Sequence, residues 1–170
     1  MSEVLINRVT ESALTSLDLE ELGGKIGVMV FDLKPFLFME LILKEKDYRE
    51  ALRQHDWSVY AGKLVTIQCS ADAIIPMWAN MLGATYLQPV ALGVVYGEEN
   101  TAREKWLLQK VAEINLDDYR GKRVVVKGCG EEPVGESVYV AITAKLRPVV
   151  KSIMYGEPCS TVPIYKEKKA

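Results

Sequence analysis

The sequence alternates between short β-branched runs and longer stretches in which apolar residues recur at helical spacing. The runs rich in Val and Ile predict strands, at residues 25–31, 64–68, 91–96, 123–127 and 149–155. The three- and four-residue spacing predicts helices between them, over residues 35–54, 76–88 and 100–114. In the first helix, Phe38, Leu41, Leu43 and Leu52 are expected to face the core.

The second half of the chain repeats part of the first at an offset of 59 residues. The residues that match include Tyr60, Gly62, Lys63 and Val65 with Tyr119, Gly121, Lys122 and Val124, and Tyr96-Gly97-Glu98 with Tyr155-Gly156-Glu157. Matches held in constant register indicate an internal repeat, with copies at residues 57–98 and 116–157. Each copy is predicted to be a βαβ unit, and an amphipathic helix links the two.

The helices inside the two copies are predicted from different evidence. In the first copy, Pro76 suits the first turn of a helix, and Pro89 disfavours helical geometry at Gln88. In the second copy, the middle segment 137–146 contains Val138, Tyr139 and Val140, which favour a strand. The repeat favours a helix there, and we let the repeat decide.

Alternating strands and helices predict an α/β fold with a mostly parallel open sheet and helices on both faces. At 170 residues the chain is expected to be a single domain. Its parts are an N-terminal βα unit, repeat one, a linker helix, repeat two and a C-terminal tail, at residues 1–56, 57–98, 99–115, 116–157 and 158–170.

Composition and charge narrow the function classes. Hydrophobic residues make up 49% of the chain and charged residues 26%, which is typical of globular proteins. The net charge of −2 gives no electrostatic footprint for nucleic acid. No signal peptide or membrane-spanning run is recognisable, so we expect a cytoplasmic protein that does not contact membranes. Its oligomeric state is left open.

The three cysteines are the main candidates for chemistry. Their number is odd and their spacing matches no disulfide framework, so free thiols are expected. Cys69, Cys129 and Cys159 each follow a predicted strand, and the carboxyl ends of parallel strands share one edge of a sheet. We therefore predict a metal site at that edge, holding zinc or an iron–sulfur cluster. The alternative is three separate buried thiols that act as small hydrophobic groups.

The repeat itself raises an objection to a shared cysteine site. Cys69 aligns with Gly128 and not with Cys129, so regular strands would direct the two thiols to opposite faces. A turn conformation at Gly128 would remove this difference.

Other candidate residues have simpler explanations. His55 is expected to end the long helix as a C-cap, away from the cysteines, rather than to bind a metal. Cys69 could be a reactive thiol with Asp72 orienting a base, although Asp72 is better explained as a helix N-cap. The loop 128–133 lacks the third glycine of a dinucleotide fingerprint. Glu98 and Glu157 are interpreted as residues of surface turns.

Several stretches resemble a known family. They are Leu41-Ile42-Leu43-Lys44-Glu45-Lys46-Asp47, His55-Asp56-Trp57, Cys69-Ser70-Ala71-Asp72-Ala73-Ile74-Ile75-Pro76, Lys127-Gly128-Cys129 and Cys159-Ser160-Thr161-Val162-Pro163. Across nearly its whole length the chain resembles an uncharacterised bacterial family, domain of unknown function 2480. Members are often encoded beside iron–sulfur cluster assembly genes. The resemblance thus implies an accessory role and a protein partner in that assembly, and it implies no catalytic residues.

Three functions are consistent with these observations. The first is metal handling or iron–sulfur cluster assembly through Cys69, Cys129 and Cys159. The second is a thiol enzyme centred on Cys69. The third is a non-enzymatic module that presents the duplicated units to a protein partner.

Overall fold

The computed structural model describes residues 14–128, 130, 133–157 and 159–168, apart from the side chain of Asn100. Five α-helices and seven strands occur in these residues, and the predicted α/β class is confirmed. The strands are β1 Leu14–Asp18, β2 Val28–Asp32, β3 Leu64–Gln68, β4 Gly93–Tyr96, β5 Arg123–Lys127, β6 Ser152–Glu157 and β7 Ser160–Lys166. The helices are α1 Leu19–Gly23, α2 Glu45–Gln54, α3 Met77–Leu87, α4 Glu99–Glu113 and α5 Glu136–Leu146.

The chain divides into two compact units. The first unit contains Met1–Lys25 and Leu107–Ala170, and the second contains Ile26–Trp106. Each unit has its own sheet, so the strands are shared between two sheets where alternation alone suggested one.

The second unit contains a three-stranded parallel sheet in the order β2-β3-β4. One side of β3 packs under α2 and α3, where the buried residues include Val65, Ile67, Tyr48, Leu52, Ala79 and Leu87. On the alternate positions, Leu64 packs with Val95 and with Trp106 of α4. Because side chains alternate between the faces of a strand, helices cover both faces of this sheet, as predicted.

The first unit contains a four-stranded sheet in the order β1-β5-β6-β7. The first three strands are parallel, and β7 pairs antiparallel with β6. Val124 and Val126 of β5 pack with Val138 and Ile142 of α5 in the core of this unit.

The internal repeat is visible in the backbone. Strands β3 and β5 begin at Leu64 and Arg123, and helices α3 and α5 begin at Met77 and Glu136, in both cases 59 residues apart. Hydrogen bonds repeat at the same offset: Gly62 N donates to Val90 O, and Gly121 N donates to Val149 O. The tandem βαβ duplication is therefore confirmed, including the helix that local propensity did not favour.

The helix predicted over residues 35–54 is wrong in its first half. Pro35 lies in a short 3-10 helix, Lys34–Phe36, and α2 begins only at Glu45. Between them, Phe38 N donates to Ile42 O at 2.7 Å. Met39 and Glu40 have φ angles of 51° and 57°, which an α-helix does not allow. Leu43 and Leu52 are buried as expected, but Phe38 and Leu41 are exposed.

Three elements were not predicted: β1, α1 and β7. Strand β1 contains Thr15 and Ser16 and is only five residues long. Strand β7 contains Pro163, which demotes a run as a strand candidate but is tolerated at a sheet edge.

Candidate functional site

A cavity lies at the carboxyl end of β3 and β4 in the second unit. Its volume is about 850 Å³, and it is lined by Gln68, Cys69, Ser70, Tyr96, Gly97, Glu98 and Glu99. The carboxyl edge of a parallel sheet is where open α/β proteins most often bind ligands. The lining residues in the described part of the chain have a thiol, two hydroxyls, an amide and two carboxylates.

Asp32 fixes the loop that carries the thiol. Its Oδ1 accepts hydrogen bonds from Ser70 N and Lys34 N, both at 3.0 Å, and its Oδ2 accepts from Ser70 Oγ at 2.5 Å. Partial burial raises the pKa of Asp32, but the bonds from Ser70 and Lys34 outweigh burial and hold the pKa below its ordinary value of 3.8. The end of β2 is thus tied to the residue that follows Cys69.

Cys69 follows β3 directly and lies half-buried at the cavity. Its Sγ is 3.6 Å from Ala71 O, to which the thiol donates. The thiol is therefore placed where a molecule in the cavity can reach it.

The opposite wall is formed by the end of β4 and the start of α4. Gly97 has a φ of +130°, a conformation that favours glycine, and a Cβ there would lie 2.2 Å from Lys105 Nζ. Lys105 Nζ donates to Tyr96 O at 2.5 Å. The hydroxyl of Thr66, a fully buried residue, donates to Gly97 O. These bonds hold the wall in place.

Exposed apolar side chains occupy the segments that follow all three strands of this sheet. After β2 they are Phe38, Met39, Leu41 and Ile42; after β3 they are Ile74, Met77 and Met81; and β4 ends in Tyr96. Ile74 is 94% exposed and Met77 78% exposed. Exposed apolar side chains that form a contiguous patch on a soluble protein commonly serve binding.

Described residues of the first unit line two smaller cavities. One, of about 460 Å³, is lined by Asp18, Glu20, Glu21, Gly24, Lys25 and Gly130. The other, of about 450 Å³, lies between α5 and the β6–β7 hairpin, and Tyr139 and Ile164 are among its lining residues. Asp18 is the last residue of β1, as Asp32 is of β2, and each of these edge strands pairs with the first strand of a repeat. Asp18 forms an ion pair with Lys127 at 2.9 Å.

The three predicted metal ligands have different placements. Cys69 lies in the second unit, and Cys159 is exposed in the turn between β6 and β7 of the first unit. Cys129 lies outside the described residues. Within the described ranges, no group of three or more His, Cys, Asp or Glu side chains is arranged to hold a metal ion. The shared thiolate site stays a prediction.

His55 is the C-cap residue of α2, as predicted. Its ring lies among aromatic side chains, with centroids 4.7 Å from Trp57 and 5.8 Å from both Phe31 and Tyr60. Its Nε2 is buried and has no hydrogen-bond partner among the residues that the structure describes. His55 therefore packs as part of an aromatic cluster.

The N-cap role predicted for Asp72 is wrong. Asp72 is exposed, and the N-cap of α3 is Pro76, which offers no side-chain bond. The residue before a proline is held in extended geometry, so the helix cannot start as early as Asp72.

Sequence reasoning missed Asp32 and the exposed apolar residues. Asp32 directly follows the strand predicted at residues 25–31, so the rule applied to the cysteines would have found it. The residues from Phe38 to Ile42 were hidden because their spacing imitates the buried stripe of a helix.

Comparison with known proteins gives a family and no function. The family model described as "Protein of unknown function (DUF2480)" matches residues 3–167. No curated protein and no solved structure matches the chain. Among the described residues, no helix is both long enough and apolar enough to cross a membrane.

Proposed function

We propose, for a chain that belongs to the family described as a protein of unknown function (DUF2480), that it is a non-enzymatic interaction module. Its docking surface is the carboxyl edge of the second unit. The observation that carries this proposal is the set of exposed apolar side chains after β2, β3 and β4. We place the protein in the cytoplasm, where its cysteines would stay reduced.

The composition of α3 supports a docking role. The helix contains no charged residue, and Met77 and Met81 lie one turn apart on its exposed side. Surface helices normally direct charged residues to solvent, whereas protein interfaces are enriched in methionine and aromatic residues and depleted in charge. Burying one such side chain contributes about 1.5–3 kcal/mol.

The loop after β2 also supports this role. Met39 and Glu40 both adopt left-handed geometry, which costs about 1–2 kcal/mol for each non-glycine residue. The loop is nevertheless held in shape, since Lys34 pairs with Glu40 at 3.3 Å and Lys44 Nζ lies 3.4 Å from the centre of the Phe38 ring. Strain of this kind is concentrated at functional sites.

A charge placed in the docking surface tests the proposal. Met77→Lys is expected to weaken the complex with the physiological partner at least tenfold, because a buried lysine must be desolvated. The matched control is Val59→Lys, which changes an exposed apolar residue in the segment before β3. If Val59→Lys weakens the complex as much as Met77→Lys, the carboxyl edge is not the docking surface.

Metal handling is a second candidate, in which Cys69, Cys129 and Cys159 bind zinc or an iron–sulfur cluster during cluster assembly with a protein partner. It rests on the positions of the cysteines after strands, since Cys69 follows β3 and Cys159 follows β6, and on the preference of zinc for thiolate ligands. Protein purified without oxygen is expected to contain near-stoichiometric metal, and Cys129→Ser to lose most of it. Metal-free protein would rule out metal handling. Unchanged metal content in Cys129→Ser would show that Cys129 is not a ligand.

A thiol enzyme centred on Cys69 is the remaining candidate. It is favoured by the position of the thiol at the cavity. A catalytic thiolate would make Cys69 react with iodoacetamide much faster than the more exposed Cys159. If Cys159 is alkylated faster than Cys69, a thiol enzyme centred on Cys69 is excluded.

A further inference from the structure

The two units differ at one corresponding edge. Strands β4 and β6 are the second strands of the two repeats and the third in the order of their sheets, and they pair with β3 and β5 at equivalent positions. Strand β6 also pairs antiparallel with β7. In the described part of the chain, β4 pairs only with β3. The first unit therefore shows where a fourth strand lies beside such a repeat.

The backbone at the end of β4 is oriented for such a strand. Gly97 N donates to Ile67 O at 3.0 Å, towards β3. Because successive backbone groups of a strand alternate in direction, Tyr96 and Val94 direct theirs to the outer edge. At this outer edge, Tyr96 O accepts a hydrogen bond from the side chain of Lys105. At the equivalent edge of the first unit, β6 pairs with the backbone of β7.

Exposure of the equivalent tyrosines shows what a fourth strand covers. Tyr96 is 66% exposed, whereas Tyr155, beside β7 and the Tyr139 ring, is 38% exposed. At the other end of β4, Leu92 is an exposed apolar residue where the second repeat has Lys151.

The sequence of β7, the outer strand of the first unit, prevents the pairing of a further strand. Strand β7 has a register shift opposite Ile153 and Met154, and Pro163 lies at this irregularity. Proline and irregularities prevent further pairing at edge strands. Strand β4 has the sequence Gly-Val-Val-Tyr, with no proline and no charge.

Charge indicates which end of an added strand lies near the cavity. Glu157, the equivalent of Glu98, lies opposite Ser160, the first residue of β7. An added antiparallel strand would bring its N-terminal end to Glu98 and Glu99. Two carboxylates there are complementary to a Lys or Arg in the added segment.

We propose that β4 accepts an extended segment of a partner protein as an antiparallel fourth strand. The segment has alternating apolar side chains and a cationic residue at its N-terminal end, and its backbone replaces Lys105 as the donor to Tyr96 O. This inference rests on the proposed role as an interaction module, and it assigns the partner a mode of binding known as strand addition.

The probe is a fluorescent peptide with the sequence of residues 160–167 carrying Ser160→Lys, mixed with the full chain. Its Pro163 keeps the outer edge of the peptide closed. Bound peptide is expected to slow hydrogen exchange of the Val94 and Tyr96 amides and to leave that of Tyr155 unchanged. Methylating the peptide nitrogen at Val162, which lies opposite Tyr155 in the native hairpin, should weaken binding at least tenfold. Methylation at Thr161, which faces away, should change it less than threefold.

Three results would overturn strand addition: no binding at millimolar peptide, equal effects of the two methylations, or unprotected Val94 and Tyr96 amides. Protection of the same amides in concentrated protein without peptide, together with a dimer in sedimentation, would assign the edge to a second copy and overturn the proposed occupant. Peptide binding does not use Met77. If the peptide does not bind but Met77→Lys still weakens the complex with the partner, strand addition is overturned and the proposed docking role is not.

Discussion

The bond network of Asp32 gives the most direct prediction about the architecture of the candidate site. Asp32→Ala removes the acceptor of three hydrogen bonds, two of them from Ser70 and one from Lys34 N. Hydrogen bonds to charged groups contribute about 1.5–3 kcal/mol when buried. Since Asp32 is only partly buried, we expect the free energy of unfolding to fall by about 2 kcal/mol.

Tryptophan fluorescence during urea denaturation is the appropriate assay. All three tryptophans, Trp57, Trp78 and Trp106, belong to the second unit, so their emission reports the unit that contains Asp32. Ser70→Ala is the matched variant, because it removes only the hydroxyl and should cost about 1 kcal/mol. The double variant should cost less than the sum of the single variants, since the two side chains share a bond.

Acid adds a second test of the same network. Folding lowers the pKa of Asp32 below 3.8, so the unfolded chain takes up this proton more readily than the folded chain. The stability from Asp32 is therefore complete above about pH 5 and is lost as the pH falls through 3.8 and below. A destabilisation of less than 0.5 kcal/mol by Asp32→Ala at pH 7, or one that persists undiminished at pH 3, would refute this reasoning.

Three further substitutions test the packing of the units. Gly93→Ala should cost about 1–3 kcal/mol and shift the fluorescence, because its Cβ would lie 2.3 Å from the Trp106 ring; unchanged stability would show that this contact is not close. Tyr48→Phe should cost about 1 kcal/mol in urea denaturation, because it removes the 3.1 Å bond to Ala79 O that joins α2 to α3; a neutral effect would contradict that role. Asp18→Ala should cost about 1–2 kcal/mol by far-ultraviolet circular dichroism, because it removes the N-cap of α1 and the pair with Lys127; an effect below 0.5 kcal/mol would contradict it.

The internal repeat supplied the part of the fold that local patterns could not. Val138, Tyr139 and Val140 favour a strand by propensity, yet they lie in α5. Their alignment with α3 predicted the helix correctly, because a repeat transfers information about tertiary packing from one copy to the other. Propensity reports only the preference of an isolated segment.

The periodicity of apolar residues gave a wrong helix where the residues of an exposed loop have the same spacing as a buried helix face. Phe38, Leu41 and Ile42 lie at positions that fit the apolar face of a helix, but they belong to an exposed loop. A sequence pattern records which residues are apolar and not what covers them. The rule that predicted the core therefore did not identify these exposed residues.

The cysteine site shows a different limit of sequence analysis. Each cysteine was correctly expected after a strand where the structure describes it, since Cys69 follows β3 and Cys159 follows β6. Convergence on one metal depends on strand order and on the course of loops. Two sheets form in place of one, and Cys69 and Cys159 belong to different units.

A photo-crosslinking side chain at Met77 tests the central claim most directly, compared in living cells with the same side chain at Val59. We expect Met77 to give one discrete adduct, identified by mass spectrometry as a single partner protein, and Val59 to give none. Adducts of equal yield from both positions, or no adduct from Met77 in protein shown to be folded, would contradict docking at the carboxyl edge of the second unit.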